Sequence, residues 1–137
     1  MRLFTALELP APVRAELTAT QERLRAGGHP VRWADSAGLH LTLQFLGEAD
    51  EARVAPLVAR LAAIPAVTLG LELGPLGAFP NARPPRVIWV GLGGETTALA
   101  RIQAQVVVAT APEGFTPEPR AFTPHLTLGR ARQEATA

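Results

Sequence analysis

The spacing of apolar and polar positions changes several times along the chain, and each change marks an element. Arg2 to Leu9 is rich in apolar and aromatic residues and stops at Pro10, which has no N–H to offer a neighbouring strand, so the segment reads as a strand. From Pro12, Val13, Leu17 and Leu24 recur at helical spacing with Ala15 and Ala19 between them, until Gly27-Gly28 end the pattern. Glu16, Glu22, Arg23 and Arg25 fill the other face of that helix. The short Val31-Arg32-Trp33 piece precedes Leu39 to Leu46, where His40, Thr42 and Gln44 alternate with Leu41, Leu43 and Phe45, the period of a half-buried strand. Parity puts Phe45 with the leucines, packed in the core.

Asp50 to Ala63 predicts a helix, with Asp50 as N-cap and Val54, Leu57, Val58 and Leu61 as the buried stripe, closed by Pro65. Val67 to Leu73 alternates as a strand. Gly74 to Pro85 reads as a loop from its glycine and proline content, and Arg86 to Leu92 as a central strand before the turn at Gly93-Gly94. Thr96 to Ala111 sets Leu99, Ile102, Val106 and Ala109 at helical spacing, against the β-branched run Val106-Val107-Val108. Pro112 ends that helix. Gly114 to Pro124 is proline-rich and extended, and leads into a short strand at His125 to Leu128.

This order is one unit followed by a partial copy of itself, about 1–80 and 85–137, with the second copy incomplete at its end. The literal support is that His40-Leu41-Thr42-Leu43 recurs as His125-Leu126-Thr127-Leu128, each time on the strand that follows a strand and a helix. A chain of 137 residues, 47% hydrophobic and 18% charged, is expected to fold as a single domain of two lobes.

Composition narrows the chemistry. With no cysteine there is no thiol nucleophile, thiolate metal site or disulfide, which fits a reducing cytoplasm. Every basic residue is arginine, so lysine Schiff bases and the lysine-bearing P-loop are excluded. The formal charge of +1 implies no long-range steering of nucleic acid. The opening residues are too short an apolar stretch, broken by Glu8, for a signal peptide, and no run reaches the roughly 18 apolar residues of a membrane span. A soluble cytoplasmic protein is expected.

A strand presents residues i and i+2 on one face, so each tetrapeptide sets an imidazole beside a hydroxyl while its leucines enter the core. Two such faces turned to one cleft would suit in-line attack on phosphorus. One neutral imidazole would take a proton from the nucleophile, the protonated partner would deliver one to the departing oxygen, and the hydroxyls would hold the non-bridging oxygens. Which histidine does which is left open by the near-symmetry of the repeat. Without cysteine or a carboxylate at short fixed spacing the histidines do not complete a metal ligand set, so neither metal nor cofactor is expected. His29, between Gly28 and Pro30, reads as a surface residue.

The sequence resembles the two-histidine phosphoesterases, specifically the bacterial and archaeal RNA 2′,3′-cyclic phosphodiesterases historically called 2′-5′ RNA ligases. Beyond the paired motifs, the resemblance rests on Arg2-Leu3-Phe4, Val31-Arg32-Trp33, the string His40 to Gly47, Gly77-Ala78-Phe79-Pro80, Pro85 to Leu92 and Pro124 to Arg130, in family order. It implies an α+β fold with two antiparallel sheets, flanking helices and a cleft between pseudo-twofold lobes. It implies opening of RNA 2′,3′-cyclic phosphate termini to 2′-phosphates without metal or ATP, with weak reverse 2′-5′ ligation.

Carried over by motif position, His40 is the proton donor to the 3′ oxygen, His125 the base that activates water, and Thr42 and Thr127 the phosphate ligands. Arg130 stands where the family often has arginine and is included as phosphate-binding, although strict alternation turns it toward the core. Phe79 and Trp33, in or near loops, are the base-stacking candidates. The expected partner is an RNA end bearing a 2′,3′-cyclic phosphate, with tRNA fragments as one source; the chain is expected to act as a monomer, away from membranes. Alternatives left open are a phosphodiesterase of small cyclic or 2′-5′ nucleotides and a non-catalytic RNA-end binding module. The family continues for further elements after the second motif, where this chain has only Ala131 to Ala137.

Overall fold

A computed structural model of the chain describes residues 1–28, 31–35, 38–79, 87–119 and 121–131. Strand β1 (Arg2–Glu8) runs up to Pro10, and helix α1 (Ala11–Arg25) opens directly after it. The Pro10 carbonyl accepts the N–H groups of Val13 and Arg14 at 3.0 and 3.1 Å, and Pro12 sits in the first turn, where its missing N–H costs nothing. Arg23 and Arg25 lie in the last turn, beside the partial negative charge of the unpaired carbonyls.

Strands β2 (Val31–Trp33) and β3 (His40–Glu48) follow, then a 3₁₀ turn at Glu51–Arg53 leading into helix α2 (Val54–Ala62). Asp50 precedes the turn as expected, but its side chain makes no cap hydrogen bond. Within α2 Leu57 is buried, whereas Val58, expected in the buried stripe, is 57% exposed. Strand β5 (Val87–Gly94) and helix α3 (Thr96–Thr110) match their expected places, and β6 (His125–Ala131) ends the described chain. The β-branched run does not interrupt α3, because Leu99, Val106 and Thr110 bury one stripe and packing outweighs propensity.

Strand β4 (Leu71–Phe79) departs most from the expected pattern: residues 67–70 are not strand, and residues 74–79 of the stretch read as loop are, while its residues 80–85 lie outside the described residues. The glycines are needed for close approach and do not mark a turn. A Cβ on Gly74 would come 3.0 Å from the Gly91 carbonyl oxygen, and one on Gly77 would come 2.2 Å from the Trp89 ring. Pro75 is tolerated because β4 is an edge strand.

Among the described residues the strands form two antiparallel sheets, β1-β3 and β2-β6-β5-β4, which with three helices make an α+β fold. The chain divides into two compact units, each assembled from distant segments. One comprises Met1–Leu7, Thr42–Glu72 and Gly93–Pro124 and buries Leu43, Leu57, Leu99 and Val106. The buried Gln44 ties that core together: its Oε1 accepts from Thr110 Oγ1 at 2.8 Å and its carbonyl from Thr5 Oγ1 at 3.4 Å. The other unit comprises Glu8–Leu41, Leu73–Leu92 and His125–Ala137, and its core includes Leu17, Leu41, Val90, Leu126 and Leu128. Among the described residues no helix is long and apolar enough to cross a membrane.

Candidate active site

Both motif strands show the same sequence of burial. Leu41 and Leu43 on β3, and Leu126 and Leu128 on β6, are buried, while His40, Thr42, His125 and Thr127 are half-buried. Alternation then breaks at the same place in each copy. Leu43-Gln44 and Leu128-Gly129 are consecutive buried pairs, followed by exposed Phe45 and Arg130.

On β6 the cause is a β-bulge. Trp89 of β5 pairs with Thr127, yet its neighbour Ile88 pairs with Gly129, so Leu128 is the extra residue. Opposed residues of an antiparallel pair share a face, and Val87, Trp89 and Gly91 alternate onto one face of β5. Their partners Arg130, Thr127 and His125 therefore stand on one face of β6. The parity that turned Arg130 toward the core is overturned by one inserted residue, and Arg130 is exposed beside the His-Thr pair. The second buried residue of the bulge has to be glycine: a Cβ on Gly129 would lie 2.7 Å from Val31 Cγ1 and 3.0 Å from the Arg32 carbonyl oxygen.

A buried glutamine holds the bulge. The Leu128 carbonyl accepts from Gln21 Nε2 at 2.9 Å and from the Ala34 N–H at 2.8 Å, and Gln21 Nε2 also donates to the Ala34 carbonyl at 2.8 Å. Gln103 on α3 does the same for the first motif, its Nε2 donating to the Leu43 carbonyl at 3.2 Å. Both bonds end on the fourth residue of a His-x-Thr-Leu tetrapeptide. Gln21 comes from α1 and Gln103 from α3.

Phe45 does not pack in the core as parity implied. It is 57% exposed and tilted against Phe4, with ring centroids 6.2 Å apart at 51°. Trp33 is opposite Gly129, so its half-buried ring is on the face away from His125 and Thr127. Phe79 ends β4 and its side chain lies outside the described residues, as does His29. His40, His125 and Thr127 fall within one compact unit, and Thr42 is the first residue of a segment of the other.

Sequence reading missed three residues of this arrangement. Trp89 is across from Thr127 and its ring meets that of His125 edge-on, centroids 6.2 Å apart at 62°. Its strand reads as a continuous apolar run, in which faces cannot be told apart. Gln21 and Gln103 carried a signal: each follows a buried leucine by four positions and precedes an apolar residue by three, as Leu17-x-x-x-Gln21-x-x-Leu24 and Leu99-x-x-x-Gln103-x-x-Val106. That polar position inside an apolar stripe is itself repeated.

Comparison with known proteins points the same way. Residues 7–89 match the sequence family described as LigT-like phosphoesterase. The chain is 38% identical over 116 residues to an RNA 2′,3′-cyclic phosphodiesterase of Aeropyrum pernix, covering 85% of this chain and 66% of that protein. A Methanocaldococcus jannaschii protein of the same name is 32% identical over 132 residues, covering 96% and 72% of the two chains. The crystal structure of a Thermus thermophilus protein superposes with a TM-score of 0.80 at 32% identity, covering 96% of this chain and 74% of that one. This chain thus spans about two thirds to three quarters of the length of these relatives. With the paired His-x-Thr strands and an α+β fold of this similarity, the chain belongs to the LigT-like phosphoesterase family.

Proposed function

We propose that this chain hydrolyses RNA 2′,3′-cyclic phosphate ends to 2′-phosphates, using His40 and His125 as an acid-base pair on one phosphate. Water attacks phosphorus in line with the bond to the 3′ oxygen. His125 takes the proton of the attacking water, His40 gives one to the departing 3′ oxygen, and the products are a 2′-phosphate and a 3′-hydroxyl. The hydroxyls of Thr42 and Thr127 donate to the non-bridging oxygens, and the Arg130 guanidinium neutralises the same phosphate. The observation that carries the reading is the duplication itself: two tetrapeptides with the same residues and burial order, each held at its fourth carbonyl by a helix glutamine. The activity named for the relatives supports it.

The reading extends to weak 2′-5′ ligation, the reverse of 2′-5′ phosphodiester cleavage, in which a 5′-hydroxyl takes the place of water on the cyclic phosphate and the 3′ oxygen departs, to tRNA fragments as one source of substrate, and to a monomer working in the cytoplasm without metal or ATP. The two His-Thr pairs are taken to share one cleft, in a single bilobal domain whose copies span about 1–80 and 85–137. The test is turnover of an RNA oligonucleotide ending in a 2′,3′-cyclic phosphate, in EDTA and without ATP, by the parent chain, His40→Ala and His125→Ala. A 2′-phosphate product that disappears in both variants is expected. Undiminished turnover in either variant, or a 3′-phosphate product, would overturn the mechanism.

A further inference from the structure

The segment that follows α3 and leads into His125 is hydrogen-bonded to β3, the strand that carries the first motif. Two of its residues reach that strand just past the motif. The Glu118 carboxylate accepts the backbone N–H of Phe45 through Oε1 at 3.2 Å, and the Thr116 carbonyl accepts from Gln44 Nε2 at 3.5 Å. Gln44 is buried, and the Thr110 hydroxyl at the end of α3 donates to its Oε1 at 2.8 Å, which turns the amide nitrogen toward the segment. Among the described residues β3 pairs only with β1, whereas β6 lies between β2 and β5. Glu118 gives the Phe45 N–H, by a side chain, the partner that a second neighbouring strand would supply.

These contacts are close in sequence to two points where the chain leaves their compact unit. That unit takes in β3 from Thr42 onward and the segment as far as Pro124, while Leu41 and His125 belong to the other. One crossing thus falls inside the first tetrapeptide and one directly before the second. Phe45 is three positions after Thr42, and Glu118 seven before His125. Pro117, Pro119 and Pro124 fix their own φ and disfavour helical conformation in the residues before them, so a tie at 116–118 constrains how the chain enters β6. Glu118 is exposed and takes part in no ion pair among the described residues, so its carboxylate is not there to neutralise a neighbouring cation.

We propose that Glu118 is a positioning residue for the hydrolase reaction: by holding the Phe45 N–H it ties the segment that delivers His125 to the strand that carries His40 and Thr42. This rests on the hydrolase reading above, in which both imidazoles act on one phosphate. Glu118 touches no reacting atom and acts through its hydrogen bond, not through its charge. An in-line displacement needs acid and base placed at once, and a misplacement of about 1 Å can cost about 100-fold in rate.

The test compares Glu118→Ala, which removes the acceptor, with Glu118→Gln, which removes the charge and keeps an acceptor oxygen. On an RNA oligonucleotide ending in a 2′,3′-cyclic phosphate, Glu118→Ala is expected to lower kcat about five- to twentyfold with KM nearly unchanged, and Glu118→Gln to stay within about threefold of the parent. Both variants should melt close to the parent, because the side chain is exposed, and the Phe45 amide resonance should move further in Glu118→Ala than in Glu118→Gln. The proposal is overturned by an unchanged kcat in Glu118→Ala, a loss carried by KM or accounted for by unfolded protein, a Glu118→Gln as slow as Glu118→Ala, or a Phe45 amide that does not move. Absence of turnover by the parent chain would instead sink the hydrolase reading. The tie is then judged by the NMR resonances of the His125 ring protons: a displacement in Glu118→Ala that Glu118→Gln reverses supports it, and resonances indifferent to both variants overturn it.

Discussion

Gln21 Nε2 reaches from α1 to the carbonyl of Leu128, 2.9 Å away, and so satisfies the one residue of β6 that the sheet leaves over. Gln103 reaches from α3 to Leu43 in the same way at 3.2 Å. A bulge leaves its extra residue unpaired in the ladder, and an unpaired buried carbonyl is costly. At Leu128 the carbonyl accepts from the Ala34 N–H as well as from Gln21, so the extra residue of the β6 bulge is satisfied from two sides.

Replacing Gln21 by Leu keeps the volume but removes two hydrogen bonds and strands the Ala34 carbonyl, so a loss of about 2–3 kcal/mol is expected. Gln103→Leu removes one bond from a half-buried side chain and should cost about 1 kcal/mol. Urea unfolding measures both. Equal and negligible losses would show that the bulge holds itself.

Thr42→Val and Thr127→Val preserve shape at half-buried positions and delete only the hydroxyl. Each should lower kcat roughly 10- to 100-fold with little change in melting temperature, and serine at either position should restore most of it. A variant that melts normally and turns over normally would remove that threonine from the phosphate site.

Trp89 packs on His125 at a centroid distance of 6.2 Å, and Gly77 leaves the space its ring occupies. Gly77→Ala would put a methyl 2.2 Å from Trp89 Cζ2, so the indole has to move. The expected result is a stability loss of about 1–3 kcal/mol together with displaced NMR resonances of the His125 ring protons, which sit at the edge of the indole. Trp89→Phe, which keeps an aromatic edge, should displace them less than Trp89→Leu. Ring-proton resonances indifferent to all three variants would mean the ring contact does not position His125.

Phe45 and Leu43 are two positions apart on β3 but in opposite surroundings, 57% and 5% exposed. Phe45→Ala is expected to cost less than about 1 kcal/mol, and Leu43→Ala about 2–5 kcal/mol. Similar losses from both, in thermal or urea melts, would restore the simple alternation that the structure breaks.

The elements and the duplicated His-x-Thr strands are legible in the sequence because they depend on local periodicity: 3.6 for α1 and α3, two for the first four residues of β3 and β6. Helix ends followed proline and glycine for the same local reason. The exceptions are instructive. Gly74, Pro75 and Gly77 read as a loop because their purpose is to let β5 and the Trp89 ring approach, and the partner is more than ten residues away in sequence.

Residue identity and spacing were enough to mark His40, Thr42, His125 and Thr127 as paired imidazole-hydroxyl faces, since a strand must place i and i+2 together. Whether Arg130 joins them was beyond that reasoning. Counting by twos turned it inward, and only the pairing of β6 with β5 reveals the extra residue at Leu128 that turns it outward. The partners of that bulge are Gln21 on α1 and Ala34 just after β2, more than ninety positions earlier in the chain. Periodicity records which residues one strand presents together; the face on which a strand ends depends on hydrogen bonds to distant segments, and those exist only once the chain has folded.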